Sequence, residues 1–279
     1  MTKIAHLTDL HLVEENHTQR SGAHRFRLSW LSLLRPLEPE KRRRRAVNAL
    51  EQALASGADH LVLTGDLTED GVPAQFEVLA SVLAESRWPA SRVTLVPGNH
   101  DFYHDGSTFN EAMEGPLRPY RETSKAGAVV AIAGALLVAV STAFHQPFTK
   151  SAGGMERGGL DAIDSAAREA SKKGVALIIA QHHPPKGHAL APIQWIDGFQ
   201  QHRELTALLL QHDHAHVMHG HTHTLADRPV RSGASARIFS AEAVVDSASP
   251  LRLYKAEYGR LVPEQDTSPL MYAEVAAAC

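Results

Sequence analysis

Five times along this chain a short apolar run ends in a cluster of carboxylate, carboxamide or imidazole side chains, and that repetition constrains the fold more than any other feature. Ile4 to Leu7 leads into Asp9-Leu10-His11, and Leu61 to Leu63 leads into Thr64-Gly65-Asp66. Val93 to Val96 precedes Gly98-Asn99-His100-Asp101, Ala176 to Ala180 precedes Gln181-His182-His183-Pro184-Pro185, and Val217 with Met218 precedes His219-Gly220-His221-Thr222-His223. Each run has the length of a buried strand. Helical patterns lie between them, at Arg45 to Ala55, Ala74 to Glu85, Gly159 to Lys172 and His202 to Gln211, and this alternation predicts a layered α/β fold. Open α/β sheets place their binding crevice outside the carboxyl ends of the strands, so the five clusters are expected to meet in one cleft.

Crowding carboxylates and imidazoles into a partly buried place costs several kcal/mol per unpaired charge unless cations compensate, which points to bound metal. The donors are oxygen and imidazole nitrogen without sulfur, a set suited to manganese, iron or zinc. Asp66, alone at its strand end, is the natural bridge between two divalent ions about 3.5–4 Å apart. One ion then takes Asp9, His11 and His223, and the other Asn99, His182 and His221. Residues two apart on an extended chain face the same side, so Asp9 with His11, and His221 with His223, are expected as same-side pairs. Taken singly, Gly98-Asn99 could be a turn, Asp9 a helix cap and His219 to His223 a satisfied strand end. Five such coincidences in fixed order weigh against that.

The chain has 18 histidines in 279 residues. His17, His24, His145, His188, His202, His212 and His214 read as loop or surface residues, and His6, His60, His216 and His219 as core residues or residues behind the ligands. With 43% hydrophobic and 21% charged residues the chain is of globular type, and a net charge of -3 gives no global reason for a polyanionic partner. Cys279 is the sole cysteine, which rules out an internal disulfide and a thiolate cluster. No apolar stretch reaches the ~18 residues of a membrane span, and a cytoplasmic protein is expected.

Ala128 to Ala133 and Leu136 to Val140 predict a hairpin in a second sheet, and Arg237 to Phe239 with Leu251 to Tyr258 predict late strands joined through Ser247 to Pro250. The connection from Leu12 to Arg44 is too long to be a plain link. It holds an apolar cluster (Phe26, Leu28, Trp30, Leu31, Leu33, Leu34) with the basic run Lys41 to Arg45 behind it, and reads as an insertion with a solvated basic helix start, or as a substrate lid or phosphate-attracting patch. Leu270 to Cys279 reads as a loosely held tail.

In order, D-x-H, G-D, G-N-H-D, H-H-P-P and G-H-T-H resemble the calcineurin-like metallophosphoesterase superfamily over residues 4 to 223, and Leu251 to Leu261 is similar to the closing strands of its bacterial members. The resemblance implies a four-layer α-β-β-α sandwich with two mixed β-sheets, one domain over 1–262 with 12–44 as an insertion or cap, and a C-terminal tail over 263–279. It implies the same seven ligands, His182 rather than His183 among them, and names His100 as the group that stabilises or protonates the leaving oxygen, with Asp101 orienting it. The implied activity is hydrolysis of a small-molecule phosphate ester by a hydroxide bridging two divalent ions. H-H-P-P and the compact size are most similar to bacterial cyclic-nucleotide (class III) phosphodiesterases, which puts a diester ahead of a phosphomonoester or a nucleotide-lipid pyrophosphate, and a nucleic acid below these. A non-catalytic metal-binding scaffold is the competing class. Every expected position holds a competent residue, which argues against it.

Overall fold

The computed structural model describes residues 2–32 and 35–264. Strands β1 (Thr2–Leu7), β2 (His60–Thr64), β3 (Val93–Val96), β4 (Val129–Ile132), β5 (Ala135–Ala139), β6 (Ala176–Ala180), β7 (Ala215–His219), β8 (Ala226–Pro229), β9 (Arg237–Ser240), β10 (Arg252–Glu257) and β11 (Arg260–Pro263) form two sheets. The helices are α1 (Gly22–Leu31), α2 (Pro39–Ala55), α3 (Pro73–Glu85), α4 (Thr108–Glu114), α5 (Arg121–Ser124), α6 (Gly159–Lys173), α7 (Ala191–Asp197) and α8 (His202–Gln211).

The five-stranded sheet runs β11-β10-β1-β2-β3 and the six-stranded sheet β4-β5-β6-β7-β9-β8. Both are mixed: β1, β2 and β3 are parallel with β10 antiparallel to β1, and β5, β6, β7 and β9 are parallel with β4 and β8 antiparallel at the edges. Side chains alternate across a strand, and here that period sorts the apolar residues into three layers. Ala5, Leu7, Leu61, Leu63 and Leu95 pack outward on Leu50 of α2 and Phe76 and Leu79 of α3. Their neighbours Ile4, Val62 and Val96 turn inward to meet Leu137, Ile178, Met218 and Phe239 of the other sheet. Leu177, Ile179 and Val217 pack outward on Ile163 of α6 and Leu205 and Leu209 of α8. Three apolar layers are what a four-layer α-β-β-α sandwich requires, and truncating a side chain such as Leu63 or Ile178 to Ala should cost about 2–5 kcal/mol.

His6, His60 and His216 lie buried on these strands. His6 Nε2 is 2.7 Å from Thr64 Oγ1 and His60 Nε2 is 2.9 Å from Thr94 Oγ1. Burial pulls the pKa of His60 and His216 down to about 4 and that of His6 to about 3, so they pack as neutral rings.

Some expectations are corrected. Helix α2 begins at Pro39 rather than at Arg45, its ring in a first-turn position that needs no N–H; Lys41 and Arg44 of the basic run are exposed, as a solvated helix start requires, but the whole run is not. Arg42 in particular is buried, donating to Glu69, to the His11 carbonyl and to the Pro36 carbonyl. The late strands β9 and β10 belong to different sheets, so Ser247 to Pro250 lies on a crossover between sheets and not in a turn between partners. The expected tail lies outside the described residues beyond Glu264, as do Leu33 and Leu34. No helix among the described residues is long and apolar enough to cross a membrane.

Candidate metal centre

The carboxyl ends of β1, β2, β3, β6 and β7 open on one cleft, and the backbone there is unusual. Seven described non-glycine residues have positive φ, and five of them are Asp9 (54°), His11 (49°), Asp66 (47°), His221 (70°) and His223 (53°). The left-handed region disfavours residues with a Cβ and persists where surrounding structure over-determines it, as at functional sites. Here the post-strand loops hold one another: Asp9 N donates to Gly65 O, His11 N to Asp66 O and Gly220 N to His182 O. Asp9-Leu10-His11 and His221-Thr222-His223 are therefore not continued strands, as same-side spacing had suggested; left-handed turns deliver both members of each pair to the cleft. Two glycines make room for this contact. A Cβ on Gly98 would stand 2.2 Å from Asp66 Oδ1, and one on Gly220 would stand 1.9 Å from Thr8 Oγ1.

Each of five imidazoles sets one nitrogen against an oxygen of the surrounding frame and presents the other to the cleft, by hydrogen bond in four and by an ionic contact alone in His11. His182 Nδ1 donates to the Thr64 carbonyl (2.8 Å), which leaves Nε2 3.1 Å from Asn99 Oδ1 and 3.3 Å from Asp66 Oδ1. His221 Nε2 meets Asp197 Oδ1 at 3.0 Å, leaving Nδ1 3.2 Å from Asn99 Oδ1. His223 Nδ1 meets Asp246 Oδ2 at 2.6 Å, leaving Nε2 3.3 Å from Asp9 Oδ1. His11 Nδ1 lies 3.2 Å from Glu69 Oε2, with Nε2 3.7 Å from Asp66 Oδ2. His100 Nδ1 donates to the Glu69 carbonyl (2.6 Å), with Nε2 3.9 Å from Asp66 Oδ2. Such backing fixes the tautomer and aims a lone pair, as behind metal-binding histidines. Buried His183 differs: its Nδ1 meets Thr142 Oγ1 at 3.0 Å and its Nε2 the Ser151 carbonyl at 3.0 Å, so neither nitrogen is free.

The cluster demands positive charge. Burial opposes protonation of His182 and His223, yet Asp66 beside the one and Asp9 beside the other push both pKa values up to about 9. Burial likewise opposes ionising Asp9 and Asp66, but His223 and His182 hold them well below the ordinary carboxylate range. Asp9 Oδ1 is buried and accepts no hydrogen bond among the described residues. Ligand atoms of Asp9, His11 and His223 lie within 4.8 Å of one another, as do those of Asp9, Asp66 and His182. An orphaned carboxylate oxygen, convergent ring nitrogens and an O/N donor set fit divalent cations.

One expected contact is absent. Asp101 does not orient His100; its buried carboxylate accepts from the backbone of Leu67, Thr68 and Gly98 and from Thr68 Oγ1, tying the β2 and β3 loops together. Sequence reasoning also missed the backing carboxylates Glu69, Asp197 and Asp246, and Tyr103, whose hydroxyl accepts from Asn99 Nδ2 (2.8 Å) and so turns Asn99 Oδ1 toward the histidines. Glu69 alone carried a signal, three residues after Asp66; Asp197 ends helix α7 and Asp246 lies in the loop after β9, neither beside a strand-end motif. Arg35 was missed as well: Nη1 lies 3.0 Å from His11 Nε2.

Among solved structures, a dimetal phosphatase from Danio rerio is 15% identical, with a TM-score of 0.66 over 94% of this chain and 98% of its own. A purple acid phosphatase from yellow lupin seeds is 10% identical, with a TM-score of 0.55 over 92% of this chain and 49% of its own. These likenesses show the fold. No curated protein matches the chain. The sequence profile of the calcineurin-like phosphoesterases matches residues 2–225, and with the strand ends converging as described, the chain belongs to the calcineurin-like phosphoesterase family.

Proposed function

We propose that the protein is a dinuclear-metal hydrolase of small-molecule phosphate esters in which Asp9, His11 and His223 hold one ion, Asn99, His182 and His221 the other, and Asp66 lies between them. The observation that carries this reading is the shared orientation of the ligand histidines, each with one nitrogen against the surrounding frame and the other in the same cleft. When bound, two divalent ions supply Lewis acidity toward phosphoryl oxygens and lower the pKa of water near them. The chain's own residues do the rest. Glu69, Asp197, Asp246 and the Thr64 carbonyl orient the imidazoles, Tyr103 orients Asn99, and His100, anchored through Nδ1, turns Nε2 to the side of the cleft where the departing oxygen leaves.

The H-H-P-P element supports a diester as the preferred substrate, on its likeness to class III cyclic-nucleotide phosphodiesterases. A monoester is the second reading, favoured by the near full-length likeness to a protein named a dimetal phosphatase. Within this proposal residues 1–262 form one domain, supported by β11 pairing with β10 in the five-stranded sheet, and 12–44 is its insertion. Manganese, iron and zinc all suit the donors, and a cytoplasmic location suits a chain with one cysteine. Initial rates on bis(p-nitrophenyl) phosphate and p-nitrophenyl phosphate with added manganese test the reading: faster diester cleavage supports it, faster monoester cleavage moves preference to the second, and no cleavage of either contradicts both.

A further inference from the structure

The segment between β1 and α2 brings an exposed aromatic ridge to the His100 side of the cleft. Phe26 and Trp30 on α1 are 60% and 49% exposed, with ring centroids 6.3 Å apart. Phe148, from the loop after β5, stands edge-on to both at 6.1 and 6.4 Å. Two residues on, Lys150 places Nζ 3.0 Å over the exposed ring of Trp195. Both sides of the ridge are pinned to the turn that carries His100. On one side Arg27 of α1 ion-pairs with buried Asp70 and reaches His104 Nδ1 at 3.1 Å. On the other, His145 Nδ1 donates to the Phe102 carbonyl (2.9 Å) and the Tyr103 hydroxyl donates to the Lys150 carbonyl (2.6 Å). Arg35, from the same segment, points its guanidinium at the cleft.

Soluble proteins rarely gather exposed aromatic rings without a use, and a ridge beside a polar cleft marks a place for the apolar part of a ligand. Ring faces and edges open to solvent suit a flat partner that stacks, whereas an alkyl chain gains more from an enclosed channel. Resting on the function proposed above, we infer that Phe26, Trp30 and Phe148 form a subsite for a planar aromatic leaving group on the phosphate ester, with Arg35 and Lys150 as flanking cations for its anionic portion. The organic group lies on the His100 side because the leaving oxygen must meet His100.

The test uses manganese-loaded full-length protein and the double variant Phe26→Ala/Trp30→Ala, both positions being exposed. Calorimetric binding of 1-naphthylphosphonate, octylphosphonate and methylphosphonate is measured together with metal content. The wild type should bind the naphthyl compound about tenfold or more tightly than the other two, and the double variant should lose that advantage while keeping its metal. In parallel, KM for bis(p-nitrophenyl) phosphate should rise about tenfold with kcat within about twofold. Unchanged naphthyl affinity in the variant, or an equal loss for octylphosphonate, overturns the subsite. Ester hydrolysis with an indifferent ridge overturns this inference alone. Ridge-dependent naphthyl binding without hydrolysis of any ester overturns the function and leaves an aromatic-binding site standing, and the absence of both phosphonate binding and ester hydrolysis overturns both.

Discussion

Asp9, His11, Asp66 and His182 are buried in interlocked loops, the first three in left-handed conformation, whereas Phe26 and Trp30, bordering the same cleft, stand largely in solvent on a helix held by ion pairs. The first region is over-determined: the backbone, the glycine contacts and the backing carboxylates all specify where each donor atom points. The second is attached rather than built in, through Arg20 and Arg27 to Asp70 and Arg42 to Glu69. Under the proposed function, chemistry that tolerates little displacement falls on the rigid frame, and under the proposed subsite recognition of the leaving group falls on the docked segment.

The largest expected effect comes from breaking the rigid region at its centre. Asp66→Ala should lower turnover by about 10³-fold or more and reduce bound metal, with far-UV circular dichroism unchanged. Wild-type metal content with near-normal rates would place the metal centre elsewhere. His100→Asn should cost about 10²–10⁴-fold in kcat while both ions stay bound, because His100 touches substrate and not metal in this account. Parallel loss of metal would make it a ligand instead.

The joint between the regions comes next. Glu69 lies between His11 and Arg42, and its Oε1 accepts from Ser32 Oγ. Glu69→Gln leaves the Arg42 guanidinium buried without its counter-charge, and should lower stability in urea by about 3 kcal/mol. A loss below about 1 kcal/mol would mean the segment docks independently of the site.

Smaller changes are expected behind the ligands. Asp246→Asn and Asp197→Asn remove the carboxylates that orient His223 and His221, and each should weaken metal binding about 10–100-fold by competitive chelation. Wild-type affinity in both would show that the backbone alone fixes the rings.

The smallest effect lies in the frame beneath. His60 has a folded pKa near 4 against about 6.5 unfolded, so between those values the unfolded chain binds the extra proton. Its contribution to stability is therefore complete above about pH 6.5 and is lost as pH falls toward 4. His60→Gln should flatten part of that acid-side decline in thermal melts of chelated protein; an unchanged slope would mean His60 does not titrate on unfolding.

How much of this was legible in the sequence follows the same divide. Runs such as Val93 to Val96 and Ala176 to Ala180 coincide with β3 and β6 because strands buried on both faces are continuous apolar runs. The residues that converge in the cleft stood out in the sequence because every one follows such a run at short distance. The backing set was not: Asp197 and Asp246 reach His221 and His223 from 24 and 23 residues away, a relation that only the folded chain creates. Asp101 misled because adjacency to His100 suggested a contact, whereas the tight turn sends its carboxylate to the backbone of the β2 loop. Helix α1 was missed because its apolar residues serve a solvent-facing ridge instead of a core stripe, so the helical period carries little burial signal.

Anomalous X-ray scattering from manganese-soaked crystals tests the central claim most directly. Two peaks about 3.5–4 Å apart are predicted, one beside Asp9, His11 and His223, the other beside Asn99, His182 and His221, with the Asp66 carboxylate between them. A cleft without peaks at full manganese saturation, or ions bound only at other residues, would contradict it.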